Sequence, residues 1–177
     1  MRYAAFLRAV NLGRNRRVTS AELREIFKGV GAEEVATFRT SGNVVFEAKR
    51  DMAAKVERAL EKTLGYDVGV FTRTARELAE IAESEPFKPA QLEASKGKLQ
   101  VSMLSAKPSA AKRKQVLALA TDDDLLAFGK RELFWLPSGG TLESTLDRKA
   151  IDKLLGPTTM RTKGTVEQLN AKFFANP

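Results

Sequence analysis

Two short segments near the amino terminus combine arginine with glycine and asparagine, residue types that bind anions through side chains and backbone amides. The first is NLGRNRRV, residues 11–18, in which Asn11, Gly13 and Asn15 tolerate positive φ. Successive N–H groups can therefore converge, and the helix predicted after this segment would add a dipole that favours anions. The segment predicts an anion site, while a polar connection with solvated arginines explains it equally well.

Arg8 lies inside the apolar run 3–10, which predicts a buried or half-buried strand. A guanidinium there either reaches solvent on an uncovered sheet face or pairs with a carboxylate or phosphate. If the first and third strands of the sheet are neighbours, Arg8 lies near Asn43 on the open face. The alternative is a structural ion pair, for instance with Glu47.

The second segment is TSGNVVF, residues 40–46, and it supplies Ser41 and Asn43. Serine acts as a nucleophile only beside a general base, and without histidine that base would be a lysine or a carboxylate from elsewhere. Serine, glycine and asparagine are also the residues that a tight hairpin needs. Turn formation is therefore the favoured explanation of this segment.

A third polar segment, PTTMRTKGTVEQL, spans residues 157–169 and contains Arg161 and Thr165. Hydroxyl and cationic side chains before a predicted helix are typical of phosphate binding, although capping of that helix by Thr165 explains part of the pattern. The turn SGGT at 138–141 is similar and weaker. The acidic run 122–124 is better explained as a solvated turn than as a cation site.

The composition of the 177 residues excludes several kinds of chemistry. The chain has no cysteine and no histidine, which excludes disulfides, thiolate zinc sites and Ser-His-Asp or Cys-His catalysis. We predict no catalytic constellation and no metal site, and no pattern identifies a cofactor. An RNA-binding plait needs aromatic residues on its first and third strands, but Arg8, Asn43 and Val45 stand at those positions.

The formal net charge is +8, with the basic excess at both ends of the chain. Such a charge favours association with phosphates or acidic ligands without identifying one. No apolar run approaches the roughly 20 residues of a membrane span, and the amino terminus lacks a cleavage pattern. We therefore expect a cytoplasmic protein without membrane association.

The elements that must position these side chains form a repeated pattern. Thr19 and Glu22 predict a capping box for a first helix, and Ser41-Gly42 predicts a hairpin between two β-rich runs. The first half has the order βαββαβ, the ferredoxin-like or α/β plait, and the second half has the order βαββα with a C-terminal helix. We expect an α+β protein with a plait-like half at 1–84, a connecting segment at 85–97 and a second plait-like half at 98–177.

Three segments together, FLRAVNLG.N (6–15), ELREIFKGVGAEEVATFRTSGNVVF (22–46) and TTMRTKGTVEQL (158–169), resemble the uncharacterised bacterial family called domain of unknown function 1697, DUF1697. The resemblance covers essentially the whole chain. It implies two plait-like halves and no established activity, cofactor or catalytic residue. The positions that match the family pattern are Arg8, Asn11, Gly13, Asn15, Ser41, Gly42, Asn43, Arg161 and Thr165. Departures include Ala9 and Arg14, where the family has glycine, and Thr162-Lys163, where it has Asn-Trp.

The preferred hypothesis is a binding protein whose ligand residues are Arg8, Asn11, Gly13, Asn15, Ser41, Asn43, Arg161 and Thr165. Its partner would be a phosphate-bearing or other anionic small molecule, or a nucleic acid backbone. An enzyme of unrecognised reaction type that uses the same cleft is the second hypothesis. The third is a structural or protein-interaction module without a small ligand.

Overall fold

The computed structural model describes residues 1–10, 18–39 and 42–175. Asn11, Gly13, Asn15 and Ser41, four residues of the predicted site, lie outside these ranges. The described residues form two four-stranded antiparallel sheets and seven helices. They divide into two compact units, with Met1–Glu80 and Leu169–Pro177 in unit 1 and Ile81–Gln168 in unit 2.

Unit 1 contains the first plait. Its elements are β1 (Arg2–Arg8), α1 (Ser20–Gly29), β2 (Glu33–Phe38), β3 (Asn43–Glu47), α2 (Ala53–Leu64) and β4 (Gly69–Thr74), followed by α3 (Ala75–Glu83). The strand order is β2-β3-β1-β4, the order of a ferredoxin-like sheet. Central β1 places Phe6 opposite Asn43 of β3 and Phe71 of β4. The predicted βαββαβ order is therefore confirmed for this half.

Helix α1 begins at the predicted capping box. Thr19 Oγ1 accepts a hydrogen bond from the Glu22 backbone N–H at 3.1 Å, and the Glu22 carboxylate accepts one from the Thr19 N–H at 2.7 Å. Two N–H groups that the helix itself cannot use are thus satisfied. Leu23 and Phe27, one turn apart, are buried against the sheet core.

Helix α2 begins at Ala53, and the nearby Asp51 carboxylate binds its first N–H group. One carboxylate oxygen of Asp51 accepts from the Ala53 N–H at 2.9 Å, and the other accepts from the Thr72 hydroxyl at 2.8 Å. Val56 and Leu60 are fully buried in the same core as α1. The Asp51 carboxylate therefore joins the start of α2 to β4.

Unit 2 contains a second plait of the same topology. Its elements are α4 (Pro89–Ala94), β5 (Gln100–Met103), α5 (Ala110–Leu117), β6 (Asp124–Phe128), β7 (Glu132–Pro137), α6 (Arg148–Leu155) and β8 (Thr159–Thr162), and α7 (Lys163–Phe173) begins in it. The strand order β6-β7-β5-β8 repeats the order of the first sheet. The prediction of two ferredoxin-like halves is confirmed, and the second half also has the fourth strand that the sequence pattern missed.

Two local expectations differ from the structure. The segment around Pro86 and Pro89 was expected to lack regular structure, but Pro89 begins α4, where the missing N–H of proline has no consequence. Thr162, not Thr165, caps α7, because the Thr162 hydroxyl accepts from the Thr165 N–H at 3.2 Å. The threonine-rich segment therefore forms a strand and the start of a helix.

The acidic run before β6 also differs from its predicted solvated turn. Asp124 is buried and accepts hydrogen bonds from the Trp135 indole N–H at 2.8 Å and the Ser144 hydroxyl at 2.7 Å. Trp135 belongs to the core of unit 2, with Val116 and Ile151. Asp124 therefore joins β6, β7 and the loop before α6.

In the part of the chain that the structure describes, no helix has the length and apolar character needed to cross a bilayer.

Candidate functional site

Arg8 is exposed at the end of β1, where Gly69 of β4 lies opposite it. It therefore reaches solvent, one of the two outcomes expected for a guanidinium in this strand. The suggested ion pair with Glu47 is not formed, because Glu47 lies beside the other end of β1 and binds Arg2 at 2.8 Å.

Asn43 lies on the same side of the sheet as Arg8, since strand residues two apart share a face and Asn43 is opposite Phe6. Its side chain is 1% exposed, and its amide donates to the Phe38 carbonyl at 3.0 Å. This hydrogen bond fixes the hairpin between β2 and β3. Asn43 therefore holds the backbone of the predicted site in place.

The first two polar segments start from the same end of the unit 1 sheet. The Leu7 N–H donates to the Gly42 carbonyl at 2.8 Å, which joins the end of β1 to the hairpin. Positive φ occurs at Ala9 (64°), Arg39 (58°) and Gly42 (75°). We call the residues Arg8–Val10, Arg39 and Gly42–Asn43 the Arg8 end.

Gly42 is required at the Arg8 end for two reasons. Its φ lies in the left-handed region, which favours glycine. A Cβ at this position would also come within 2.7 Å of Val10 Cγ1 and 3.0 Å of Leu7 Cβ. The hairpin and the end of β1 are therefore packed against each other without space for a side chain.

Arg161 and Thr165 lie in unit 2, at the end of β8 and in the first turn of α7. Arg161 Nη1 donates to the Thr159 hydroxyl at 2.9 Å and to the Met160 carbonyl at 2.8 Å. Burial lowers the pKa of Arg161 to about 10, so the side chain is still charged at neutral pH. Thr165 is buried, and its hydroxyl lies 2.9 Å from the Thr162 hydroxyl.

The sequence analysis missed Arg73, which occupies in β4 the place that Arg161 has in β8. Arg73 is 0% exposed, and its Nη1 donates to the preceding carbonyl, Thr72 O, at 2.8 Å. The next residues, Thr74 and Thr162, cap α3 and α7 with their hydroxyl groups. The repeated Arg-Thr pair before a helix was the signal that could have identified both arginines as equivalent.

The sequence analysis also missed a groove of about 660 Å³ at the other end of the unit 1 sheet. Its charged lining residues are Lys49, Arg50, Lys55, Arg58, Glu33, Glu47 and Asp51. Lys55 Nζ donates to the Val30 carbonyl at 2.6 Å. The acidic residues Glu47 and Asp51 are bound to Arg2 and to the start of α2, so the groove presents mainly cationic groups to solvent.

A smaller cavity of about 140 Å³ in unit 2 is lined by the turn 138–140 together with Asp123, Asp124 and Glu143. The Asp124 carboxylate already accepts from Trp135 and Ser144. Within residues 1–10, 18–39 and 42–175, no group of acidic side chains has an arrangement that could hold a metal ion.

Comparisons with known proteins agree with this architecture. The structure of the conserved bacterial protein SP0830 from Streptococcus pneumoniae has a similar fold, with a TM-score of 0.68 at 23% sequence identity. The similarity covers 97% of this chain and 98% of that protein. No curated protein matches the chain. The family model described as "Protein of unknown function (DUF1697)" matches residues 1–134, and the chain therefore belongs to the DUF1697 family.

Proposed function

We propose that this protein binds a phosphate-bearing or other anionic ligand at the Arg8 end of unit 1. The observation that carries the proposal is the hydrogen bond from the Leu7 N–H to the Gly42 carbonyl. It joins the end of β1, which leads into the first polar segment, to Gly42 of the second, and the exposed Arg8 follows Leu7 directly. Asn11, Gly13, Asn15 and Ser41 belong to these segments. Arg161 and Thr165 lie in unit 2, so the proposal for unit 1 does not include them.

The backbone conformation supports a ligand site at this end. Residues with side chains rarely adopt positive φ, and each instance costs on the order of 1–3 kcal/mol unless the surrounding structure compensates. Ala9 and Arg39 both adopt it, and each stands next to one of the two polar segments. Such conformations concentrate at binding sites, where they fix the direction of backbone N–H groups.

Binding is preferred to catalysis because of the side chains present. The residues that define the Arg8 end include an arginine pair, Arg8 and Arg39, and no carboxylate or lysine. An arginine remains protonated at neutral pH, so it holds an anion well and serves poorly as a general base.

The test is thermal unfolding with inorganic phosphate, a nucleoside triphosphate and a short single-stranded oligonucleotide as separate probes. A probe at about 100 times its Kd should stabilise the protein by about 2.7 kcal/mol, a rise in Tm of roughly 5–10 °C. Arg8→Gln should abolish that rise. Arg50→Gln is the matched control, because it removes the same charge from the groove at the other end of the sheet.

The comparison of the two variants shows where the ligand binds, and the salt dependence shows whether the phosphate belongs to a small molecule or to a nucleic acid. A small ligand should give saturable stabilisation that changes little with salt, whereas a nucleic acid backbone should lose affinity steeply as salt rises. A Tm rise that survives Arg8→Gln and disappears in Arg50→Gln would move the site to the groove and refute the proposal. Absence of any rise with all three probes would also refute it.

A further inference from the structure

The helix layer of unit 2 carries an unbalanced positive charge. Six exposed lysines lie on α5, α6 and the loops beside them, and we call this set the basic face: Lys107, Lys112, Lys114, Lys130, Lys149 and Lys153. The exposed acidic residues of these helices and loops are fewer: Asp122, Asp123, Glu143, Asp147 and Asp152. Asp147 is used as the cap of α6, where its carboxylate accepts from the Ala150 N–H at 3.0 Å.

Helix packing and hydrogen bonds connect the elements that carry the basic face. Helices α5 and α6 pack against each other on the sheet. Arg113 Nη2 donates to the Gly129 carbonyl at 2.6 Å and to the Lys130 carbonyl at 3.0 Å, which joins α5 to the turn between β6 and β7. Lys112 and Lys114 are both exposed and flank Arg113, one on each side of α5, since successive helix residues are about 100° apart.

Helix stability accounts for Lys114 and Lys153, which lie in the last turns of α5 and α6, but not for Lys112 and Lys149. The amino end of a helix has a partial positive charge, yet Lys112 lies in the first turn of α5 and Lys149 in the first turn of α6. Lys149 and Lys153 are four residues apart, a spacing at which like charges repel. No described ion pair joins Lys112, Lys149 or Lys153 to an acidic side chain.

The chemistry of the face favours a nucleic acid over an acidic protein. Interfaces with proteins have a desolvated centre rich in aromatic and apolar side chains, but α5 and α6 contain no aromatic residue. Among their large apolar side chains, Leu117 alone is exposed, at 41%. Cationic side chains alone can bind the evenly spaced phosphates of a duplex. Stacking on unpaired bases of a single strand would need aromatic residues, which α5 and α6 lack.

We propose that the basic face of unit 2 binds the phosphate backbone of double-stranded nucleic acid without sequence preference. This surface lies on another unit than the Arg8 end and uses none of its residues, so each proposal can fail while the other holds. Six phosphate contacts would give a slope of log K against log salt of about −5.

The test measures binding of a labelled 20-base-pair duplex by fluorescence anisotropy between 50 and 200 mM salt. The variant Lys112→Gln/Lys114→Gln should weaken binding at 50 mM salt at least tenfold and reduce the salt slope by about 2, since about 0.9 is lost per contact. The control Lys28→Gln/Lys62→Gln removes the same charge from exposed last-turn positions of α1 and α2. It should retain nearly the wild-type affinity and slope.

Three outcomes would overturn the proposal. Equal weakening by both double variants would show that only net charge matters. Failure of the wild-type protein to bind the duplex at 50 mM salt would exclude the interaction. Tighter binding of poly-glutamate than of duplex at equal charge would assign the face to an acidic protein. Both double variants keep Arg8, so this result is separate from the test of the Arg8 end.

Discussion

The two sheets share one strand order but carry different helix layers. In unit 1, α1 and α2 each have two buried apolar side chains, Leu23 and Phe27 in α1 and Val56 and Leu60 in α2. In unit 2, α5 and α6 each have one, Val116 in α5 and Ile151 in α6. Acidic and basic residues nearly balance in α1 and α2, whereas α5 has three cations and no acid.

Arginine side chains replace part of the missing apolar contact in unit 2. Arg113 lies over the ring of Phe128 at 5.1 Å, and Arg148 lies over the ring of Trp135 at 5.5 Å. A guanidinium on an aromatic ring contributes packing and a cation–π interaction while its charge stays near the surface. The strand order thus persists when a helix layer exchanges apolar burial for surface charge.

The largest expected effect tests the difference in apolar anchoring. Leu60→Ala removes a fully buried side chain from α2 and should lower the free energy of unfolding by about 2–5 kcal/mol. Denaturant unfolding of Leu60→Ala and Val116→Ala provides the comparison. Val116→Ala removes fewer carbon atoms than Leu60→Ala and should cost less. If Val116→Ala lowers the free energy of unfolding more than Leu60→Ala does, the single buried apolar side chain of α5 contributes more to stability than its burial suggests.

An intermediate effect is expected from the arginine contact of α5. Arg113→Met keeps much of the side-chain volume over Phe128 but removes both hydrogen bonds to the β6–β7 turn. We expect a loss of about 1–3 kcal/mol, since two backbone carbonyls lose a charged donor. Arg24→Met, on α1, is the control and should change stability by less than about 0.5 kcal/mol. An unchanged unfolding midpoint for Arg113→Met would show that the two hydrogen bonds of Arg113 do not stabilise unit 2.

The smallest effect concerns the helix caps and depends on pH. The pKa of Glu22 is lowered from its usual 4.5, first by the Thr19 backbone N–H and then by the Thr19 hydroxyl. A lowered folded-state pKa contributes stability above the unfolded value, and this contribution disappears as the pH falls through the folded value. Unfolding of wild type and Glu22→Gln between pH 7 and 3 should therefore converge towards acid.

The cap of α5 offers the contrast to this pH dependence. Ser109 accepts from the Lys112 N–H at 3.2 Å, but Lys112 cannot return a carboxylate to the cap as Glu22 does. Ser109→Ala should cost about 0.5–2 kcal/mol with no change between pH 3 and 7. A pH-dependent loss in Ser109→Ala would remove the distinction between the two caps.

Sequence patterns predicted the parts of the fold that local chemistry determines. The capping box at Thr19 and the hairpin before Asn43 follow from short-range hydrogen bonding and were correct. Strand β8 was missed because Thr159–Thr162 is four residues long and forms only by pairing with β5, more than fifty residues earlier. Local propensity contains no information on such a partner.

The candidate site was harder to predict because its residues have different environments. Exposure of Arg8 was one of two outcomes that the sequence left open, and the burial of Asn43 depends on the Phe38 carbonyl and on the register with Phe6. The groove with Arg50 and Arg58 arises from three separate chain segments. The burial of Arg73 was not predicted, because the sequence pattern of β4 does not indicate that both faces of this strand are covered.

Unit 1 is formed by two separate segments of the chain, and this has a consequence for biosynthesis. Arg2 donates to the Phe173 carbonyl at 2.8 Å, and the ring of Phe38 meets that of Phe173 at 6.1 Å. At about 5–20 residues per second, the ribosome adds Phe173 several seconds after the four strands of this unit. During that interval Phe38 lacks its aromatic neighbour, and the nascent chain presents an unfinished surface on which a chaperone could act.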